Sequence, residues 1–267
     1  MKSKGPELGS LSSRFFSYVQ LKKLDIVRTG EIAPILNISA SQERDLFRRL
    51  SDSGWILRLK RGLYLVPPRI PAGGKYSPGT ALILQKLMEE EKGRYQICGP
   101  PAFNFYGFDD QVPSVTYLYN NRISGKRSIG SLAFQFIKVA DERLGAINAV
   151  RTREDIEMIY SSRARTLMDA VYDWYRFNSL PRGYEWIKEE VKNEPKFASE
   201  FIDVTAKYGN VATIRRIGYL LDTLNLNPKT VNGLRRQLST SSSLIPWIPG
   251  QSAQGTINRK WGIITNG

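Results

Sequence analysis

Along the first quarter of the chain the apolar positions change period twice. Phe15, Phe16, Val19 and Leu24 recur at helical spacing and predict an amphipathic helix from about Ser13 to Leu24. A second, shorter helix is predicted near Gly30 to Leu36, before the Asn37-Ile38-Ser39 turn. Pro34 restricts it, because a proline beyond the first turn removes a helical hydrogen bond; the helix is therefore expected to be short or to start late. Ser39 and Gln42 have the spacing of a capping box, and Leu46, Phe47 and Leu50 then mark one buried stripe. Gly54 is placed to end this third helix in the left-handed conformation. Trp55, Leu57 and Leu59 alternate on one face, Lys60-Arg61-Gly62 forms a turn, and Leu63 to Val66 returns as the second arm of a hairpin. Helix, short helix, turn, helix and hairpin is the order of a winged helix-turn-helix.

Pro67-Pro-Arg-Ile-Pro-Ala-Gly-Gly74 follows as a linker, extended by its prolines and loosened by its glycines. The chain is therefore divided into residues 1–70, a winged helix-turn-helix, and residues 75–267, a larger C-terminal domain. Ser77-Pro78 is expected to start a helix running to about Glu91. Tyr95 to Cys98 predicts a strand, Gly99 to Gly107 a short helix begun by proline, and Val115 to Tyr119 a strand. Asn121 to Ser128 is expected as a basic loop, followed by a longer strand, Ile129 to Val139, that pairs with Val115–Tyr119 as a hairpin. A further strand is expected at Ile156 to Tyr160. From Ser162 the pattern turns helical, with Ala164, Leu167, Met168, Val171 and Tyr172 as a stripe. More helices are predicted near 186–191, 197–208, 212–224 and 231–238. The tail holds Ser239 to Ser243, prolines, and a strand-like Trp261-Gly-Ile-Ile-Thr265. The fold class is α+β: a winged helix-turn-helix, then a mixed α/β domain with a helical second half. No internal repeat is found.

Charge gives this division a meaning. Residues 1–70 hold thirteen Lys/Arg against six Asp/Glu, a balance of +7, or half of the chain's formal +14. Such a surface attracts phosphate backbones whatever their sequence. A membrane surface or single-stranded RNA would suit a basic domain too, but there is no long basic amphipathic helix and no aromatic platform for stacking bases. Of the 267 residues one is cysteine, Cys98, and none is histidine. This excludes an internal disulfide, Ser-His-Asp and Cys-His catalysis, and His- or Cys-rich zinc sites. No secretion signal or spanning segment is found, so a cytoplasmic location is expected.

Base-edge contact is expected from Gln42, Arg44, Asp45, Arg48 and Arg49, since Arg matches guanine, Gln adenine and Asp the amino group of cytosine. Early positions of the helix are expected to reach deepest, so Ser41 and Gln42 are placed to touch phosphate or base. For each of these the plain alternative is a solvated side chain, and Asp45 more naturally orients Arg48 or Arg49 through a helix pair. Lys60 and Arg61 at the hairpin tip, with Arg58 if it faces outward, are expected on phosphate or in the minor groove. Trp55, Leu57 and Tyr64 fit the core of the wing.

Beyond the linker, Arg122, Lys126 and Arg127 on a loop and Arg163 and Arg165 at a helix start form a secondary basic surface, suited to nucleic acid, an acidic protein or water. Arg163 and Arg165 oppose the helix dipole there, a setting that favours an anion or an acidic partner. Arg215-Arg216 and Arg235-Arg236 are expected to be solvated or to face phosphate. Asp169 and Asp173 lie i, i+4, which suits a cap or ion pair better than a metal, and no metal or other cofactor is expected. A nuclease is the competing class, but Glu185 and Lys188 form E-x-x-K instead of the E-x-K used to hold metal and water, so no catalytic residue is assigned.

Three segments carry a family resemblance: Gly54-Trp-Ile-Leu-Arg-Leu-Lys-Arg-Gly-Leu-Tyr64, Gly99-Pro-Pro-Ala-Phe-Asn-Phe-Tyr-Gly-Phe-Asp-Asp-Gln-Val-Pro113, and Ser162-Arg-Ala-Arg-Thr-Leu-Met-Asp-Ala170. In this order they resemble the AbiEi antitoxins of type IV toxin–antitoxin systems, which are associated with abortive phage infection. The resemblance spans about residues 10–240, plus Lys260-Trp-Gly-Ile-Ile264; Pro100-Pro101 departs from the small-residue helix start expected there. It implies that the winged helix represses the operon by binding double-stranded promoter repeats, and that the C-terminal domain neutralises a nucleotidyltransferase-like toxin, by direct contact or otherwise. A winged-helix regulator whose second domain senses a ligand remains open beside it.

Overall fold

The computed structural model describes residues 9–71, 75–194, 196–224, 226, 228–238, 243–251 and 254–265. Ala72 to Gly74 of the expected linker and Ser239 to Ser242 of the tail lie outside the described residues. The chain forms two compact units, Met1–Glu91 with Arg127–Phe134, and Lys92–Lys126 with Gln135–Gly267.

In the first unit α1 (Ser10–Leu21), β1 (Ile26–Arg28), α2 (Ala33–Leu36), α3 (Ala40–Asp52), β2 (Leu57–Lys60) and β3 (Leu63–Leu65) follow one another, and α4 (Thr80–Glu90) closes the series. Helix α1 starts and ends about three residues earlier than the sequence suggested, so Leu24 lies beyond it. Pro34 sits in the first turn of the four-residue α2, where its missing N–H is harmless. The strands form a sheet in the order β1-β3-β2, with Val27 opposite Tyr64 and Arg58 opposite Tyr64 on its other side. Strand β1 was not foreseen.

Nor does the alternation of Trp55, Leu57 and Leu59 hold. Trp55 and Ile56 are both buried ahead of the strand, and the register shifts between Arg58 and Lys60, as a β-bulge does. Phe15, Phe16, Val19, Leu46, Phe47, Leu50, Trp55 and Val66 make the core, with Phe47 5.7 Å from Phe15 and 4.9 Å from Tyr64 between ring centres. Helix α4 begins at Thr80 with Gly79 as its N-cap, later than Ser77-Pro78 suggested.

The second unit contains β4 (Tyr95–Ile97), α5 (Pro100–Phe105) and β5 (Val115–Asn120). Strands β6 (Gly125–Ile129) and β7 (Leu132–Lys138), whose residues 127–134 are counted with the first unit, join β8 (Ile147–Arg151) and β9 (Glu157–Ser161) in a six-stranded sheet of order β6-β7-β5-β4-β9-β8. Two expectations fail here: half of the basic loop 121–128 is strand β6, and β8 was not foreseen. β7 does neighbour β5, but β6 comes between them in sequence. Helix α6 (Arg163–Tyr172) follows, with α7 (Trp174–Phe177), α8 (Arg182–Asn193), α9 (Phe197–Tyr208), α10 (Val211–Thr223) and α11 (Pro228–Arg235). The stripe Ala164, Leu167, Met168 and Val171 is buried, and α6 packs on α8, α9 and α10. A small sheet, β10 (Ile245–Pro246), β11 (Thr256–Asn258) and β12 (Ile263–Thr265), is ordered β10-β12-β11. The α+β class, with a winged helix-turn-helix first and helices toward the C-terminus, is as read from the sequence.

The motifs of the second unit serve its folding. Gly99 has φ +62, and a Cβ there would lie 2.5 Å from the Phe177 ring, so glycine is required before α5. Pro100 and Pro101 occupy the first turn of α5, which makes their departure from the family pattern compatible with a helix. A Cβ on Gly218 would stand 2.2 Å from the buried Trp261, whose indole N–H donates to Asp222 at 2.6 Å; Lys260 pairs with the same carboxylate. The closing Lys260-Trp261 motif is thus bolted to α10.

Candidate nucleic-acid interface

The third helix is set by its two ends and its inner face. The Ser39 hydroxyl accepts from the Gln42 N–H at 3.2 Å, and the Gln42 side chain accepts from the Ser39 N–H at 2.8 Å. Gly54, with φ +76, ends the helix. Inward, Leu46, Phe47 and Leu50 are joined by a residue the sequence reading passed over, Glu43, which is fully buried. Its carboxylate accepts from three backbone N–H groups, Gly30 at 2.7 Å, Ile32 at 2.8 Å and Ala33 at 2.9 Å. Glu43 therefore ties α3 to the start of α2, satisfying donors that the short helix leaves open. The signal for it in the sequence was its place, three residues before Leu46 on the buried stripe.

Outward, Ser41, Gln42, Arg44, Asp45, Arg48 and Arg49 are all exposed. Asp45 accepts from Arg48 at 3.0 Å, and Arg49 donates to the Asp45 carbonyl at 3.4 Å, so Asp45 orients arginines here. The oxygen of the Gln42 amide is engaged in the cap.

On the wing, Gly62 takes φ +76 in the Lys60-Arg61-Gly62 turn, and its carbonyl accepts from the Thr29 N–H at 3.0 Å, which extends the β1–β3 ladder to the turn. Arg58 and Arg61 are exposed, and Arg58 donates to the Lys60 carbonyl at 3.4 Å. Lys60 is held differently, paired with Glu91 at 2.9 Å and Glu90 at 3.8 Å. Arg28 reaches Glu90 at 2.6 Å, and Lys86 reaches Asp25 at 2.5 Å. The Arg28 hydrogen bond holds the Glu90 carboxyl below its ordinary range despite some desolvation.

Between α3 and the wing lies a groove of about 600 Å³, lined by Arg44 and Arg48 from the helix, Arg58, Arg61 and Gly62 from the hairpin, with Tyr64, Ser51, Thr29 and Asp52. The structure thus brings together four of the expected cations. Ser41, Gln42, Asp45, Arg49 and Lys60 are not among its lining residues.

The secondary basic surface does not hold together. Arg165 is fully buried: its Nε donates to both carboxylate oxygens of Asp169 at 3.0 and 2.9 Å, and its other nitrogens donate to the carbonyls of Arg143 and Gly145. The carbonyls that bury it come from a distant loop, while Asp169 lies four residues on along the same helix. Burial pushes Asp169 above the usual carboxylate range, against the pull of Arg165 and Arg143. Asp173 accepts from the Tyr119 hydroxyl at 2.5 Å. Arg163 is half exposed and bound to Glu190 at 2.6 Å. Arg122 is exposed and donates to the Lys92 carbonyl; Lys126 is exposed and Arg127 half-buried on strand β6.

Arg215 and Arg216, expected in solvent or on phosphate, are buried, donating to the carbonyls of Ser243 and Pro246. Burial lowers the pKa of Arg216. Arg235 and Arg236 are exposed. Glu185 and Lys188 pair with each other at 2.8 Å. Among the described residues no three His, Cys, Asp or Glu come together as a metal site would need. No helix there is long and apolar enough to cross a membrane.

In fold the chain resembles the RV2827C protein of Mycobacterium tuberculosis, whose crystal structure superposes with a TM-score of 0.61 over 99% of this chain and 94% of that one, at 14% identity. That likeness is one of fold alone. Among curated proteins no match is found. The sequence model described as "Transcriptional regulator, AbiEi antitoxin" matches residues 17–67, from α1 through the wing. On that segment the family resemblance read from the sequence is borne out: residues 17–67 match the model of the AbiEi antitoxin transcriptional regulators.

Proposed function

We propose that the protein is the antitoxin of a type IV toxin–antitoxin pair and represses its own operon by holding double-stranded promoter repeats in the groove between α3 and the wing. The convergence of Arg44 and Arg48 with Arg58 and Arg61 around one groove carries this reading. A helix in the major groove with a hairpin beside it needs cations on both, so that base edges and phosphates are met together. Arg44, Arg48 and Arg49 face base edges, with Asp45 fixing the Arg48 guanidinium. Ser41 and Gln42 lie at the helix start, nearest the backbone, and Arg58 and Arg61 meet phosphate. Lys60 joins them once it is freed from Glu90 and Glu91.

In this reading residues 1–70 regulate and residues 75–267 counter a nucleotidyltransferase-like toxin in the cytoplasm. Arg122, Lys126, Arg127 and Arg163 lie on the part of the chain assigned to that task, whereas Arg165 belongs to its core. Two assays test the division of labour. In gel shifts with DNA from upstream of the operon, Arg44→Ala with Arg48→Ala is expected to abolish retardation. In cells expressing the neighbouring toxin gene, the same full-length variant is expected to keep protecting growth. Unchanged retardation sinks the groove; loss of protection alongside normal folding sinks the division.

A further inference from the structure

The two edges of the six-stranded sheet are built differently. One edge, β6, carries Lys126 and Arg127 and starts on Gly125. Lysine and other charges on an edge strand are the ordinary means of keeping other strands away. The opposite edge, β8, reads Ile147-Asn-Ala-Val-Arg151, with no proline, no lysine, and a single charge at its end. Arg151 is moreover paired with Asp155 at 2.9 Å. Four of the five residues are exposed, Val150 being half-buried, and Ile147 keeps 53% of its surface in solvent.

Which backbone groups face outward follows from two hydrogen bonds. The Ser162 N–H donates to the Ala146 carbonyl at 2.6 Å, and the Thr152 N–H donates to the Ile156 carbonyl at 2.9 Å. In the antiparallel register that pairs Asn148 with Tyr160 and Val150 with Met158, alternate residues turn their groups to β9. Ala146, Asn148, Val150 and Thr152 are the inward set. Ile147, Ala149 and Arg151 therefore direct their N–H and C=O groups away from the sheet, where no further strand follows among the described residues.

We infer that β8 is a self-pairing edge, joining a second copy of this chain in an antiparallel ladder whose two-fold axis passes Ala149. Centred there, Ile147 stands opposite Arg151 of the second copy and Ala149 opposite its equivalent. The three outward residues of each strand then form three hydrogen-bonded pairs. Charge allows this register: the two Arg151 side chains lie at opposite ends of the ladder, each with its own Asp155, and the arginine stem crosses exposed Ile147. Beside the strand, Phe105 is 41% exposed and stacks on Tyr160, the neighbour of Asn148, at 4.2 Å. These rings lie over β9, one strand in from the edge. Two chains of formal charge +14 repel one another, so the association strengthens as salt screens that repulsion.

The register makes a sharp test with the full-length chain. Cys98 is buried, so one new cysteine supplies the accessible thiol. Ala149→Cys is expected to form a disulfide-linked dimer on mild oxidation, because hydrogen-bonded antiparallel partners lie about 5.5 Å apart between Cα atoms, within disulfide reach. Ile147→Cys is expected not to, since its equivalents lie roughly 14 Å apart in this register. In sedimentation across the micromolar range, the wild-type chain is expected to dimerise more tightly at high salt. Ile147→Lys, at an exposed position that does not threaten folding, is expected to weaken the dimer at least about tenfold. Monomer at every concentration and salt overturns the proposal, as does equal cross-linking of the two cysteine variants. Protection of β8 amides only after a toxin protein is added would assign the edge to that partner and overturn self-pairing too.

Discussion

Replacing Glu43 by alanine removes one acceptor from three N–H groups at once. Those of Ile32 and Ala33 are buried and that of Gly30 is partly buried, at 2.7–2.9 Å from the carboxylate. A buried donor left without a partner costs about 1–3 kcal/mol, so the two buried groups alone set a loss of roughly 2–6 kcal/mol for local opening of the α2 start. Water entering the emptied site lowers that figure toward its lower end. Glu43→Gln keeps one acceptor oxygen for Ile32 and Ala33 but turns an NH2 group toward Gly30, for an expected loss of about 1–2 kcal/mol. Global unfolding is a poor assay here, because a chain of two units need not melt in one step. Amide exchange of Gly30 to Ala33 reads the contact directly: these protons are expected to exchange about a hundredfold faster in Glu43→Ala. DNA affinity falls with them, because α2 no longer fixes the seat of α3. Exchange within threefold of wild type would refute the role given to Glu43.

Further expectations concern the other buried and paired groups. Gly218→Ala drives a methyl against the Trp261 ring and is expected to cost about 1–3 kcal/mol, seen as faster proteolytic release of the C-terminal segment; adding Trp261→Leu should recover part of it. Arg165→Met leaves the fully buried Asp169 with Arg143 alone and is expected to cost at most about 3–5 kcal/mol in thermal unfolding, whereas Arg165→Met with Asp169→Leu should cost far less. Glu90→Gln with Glu91→Gln frees Lys60 for phosphate and is expected to steepen the salt dependence of DNA binding by about 0.9 in log–log slope. Because Arg28 lowers the Glu90 pKa, the stabilisation from that pair is full above the ordinary carboxylate pKa and lost as pH falls through the lowered value. The stability difference between the wild type and Glu90→Gln, measured pH by pH, should therefore shrink in acid.

The features legible in the sequence were those decided by neighbours along the chain. Ser39 and Gln42 cap α3, and Gly54 and Gly62 supply positive φ, because three or four residues contain all the physics involved. Strand β1 escaped notice since Ile26–Arg28 gains its meaning only from pairing with β3, nearly forty residues on. β8 was missed because an exposed edge strand has little need to alternate. Charged residues were the least legible of all. Arg165 and Glu43 look solvated in sequence; Asp169 at i+4 and the stripe of Leu46 were local hints, but the backbone groups that hold them come from other parts of the chain. Lys60, on the wing, is met by Glu90 and Glu91 from α4. The same limit explains why the basic clusters beyond residue 75 did not resolve into one surface, while the groove at α3 did: its arginines come from adjoining elements.

The central claim, that DNA lies in that groove, is tested most directly by the salt dependence of binding to the operon's upstream DNA. Each phosphate neutralised contributes about 0.9 to the slope of log affinity against log salt. With Arg44, Arg48, Arg58 and Arg61 all replaced by alanine, the slope is expected to flatten by about 1.8, the share of the two wing arginines that meet phosphate; the loss of Arg44 and Arg48 falls on base discrimination, and preference for the operator over unrelated DNA should disappear. A quadruple variant that folds normally and keeps both the wild-type slope and its operator preference would contradict the claim.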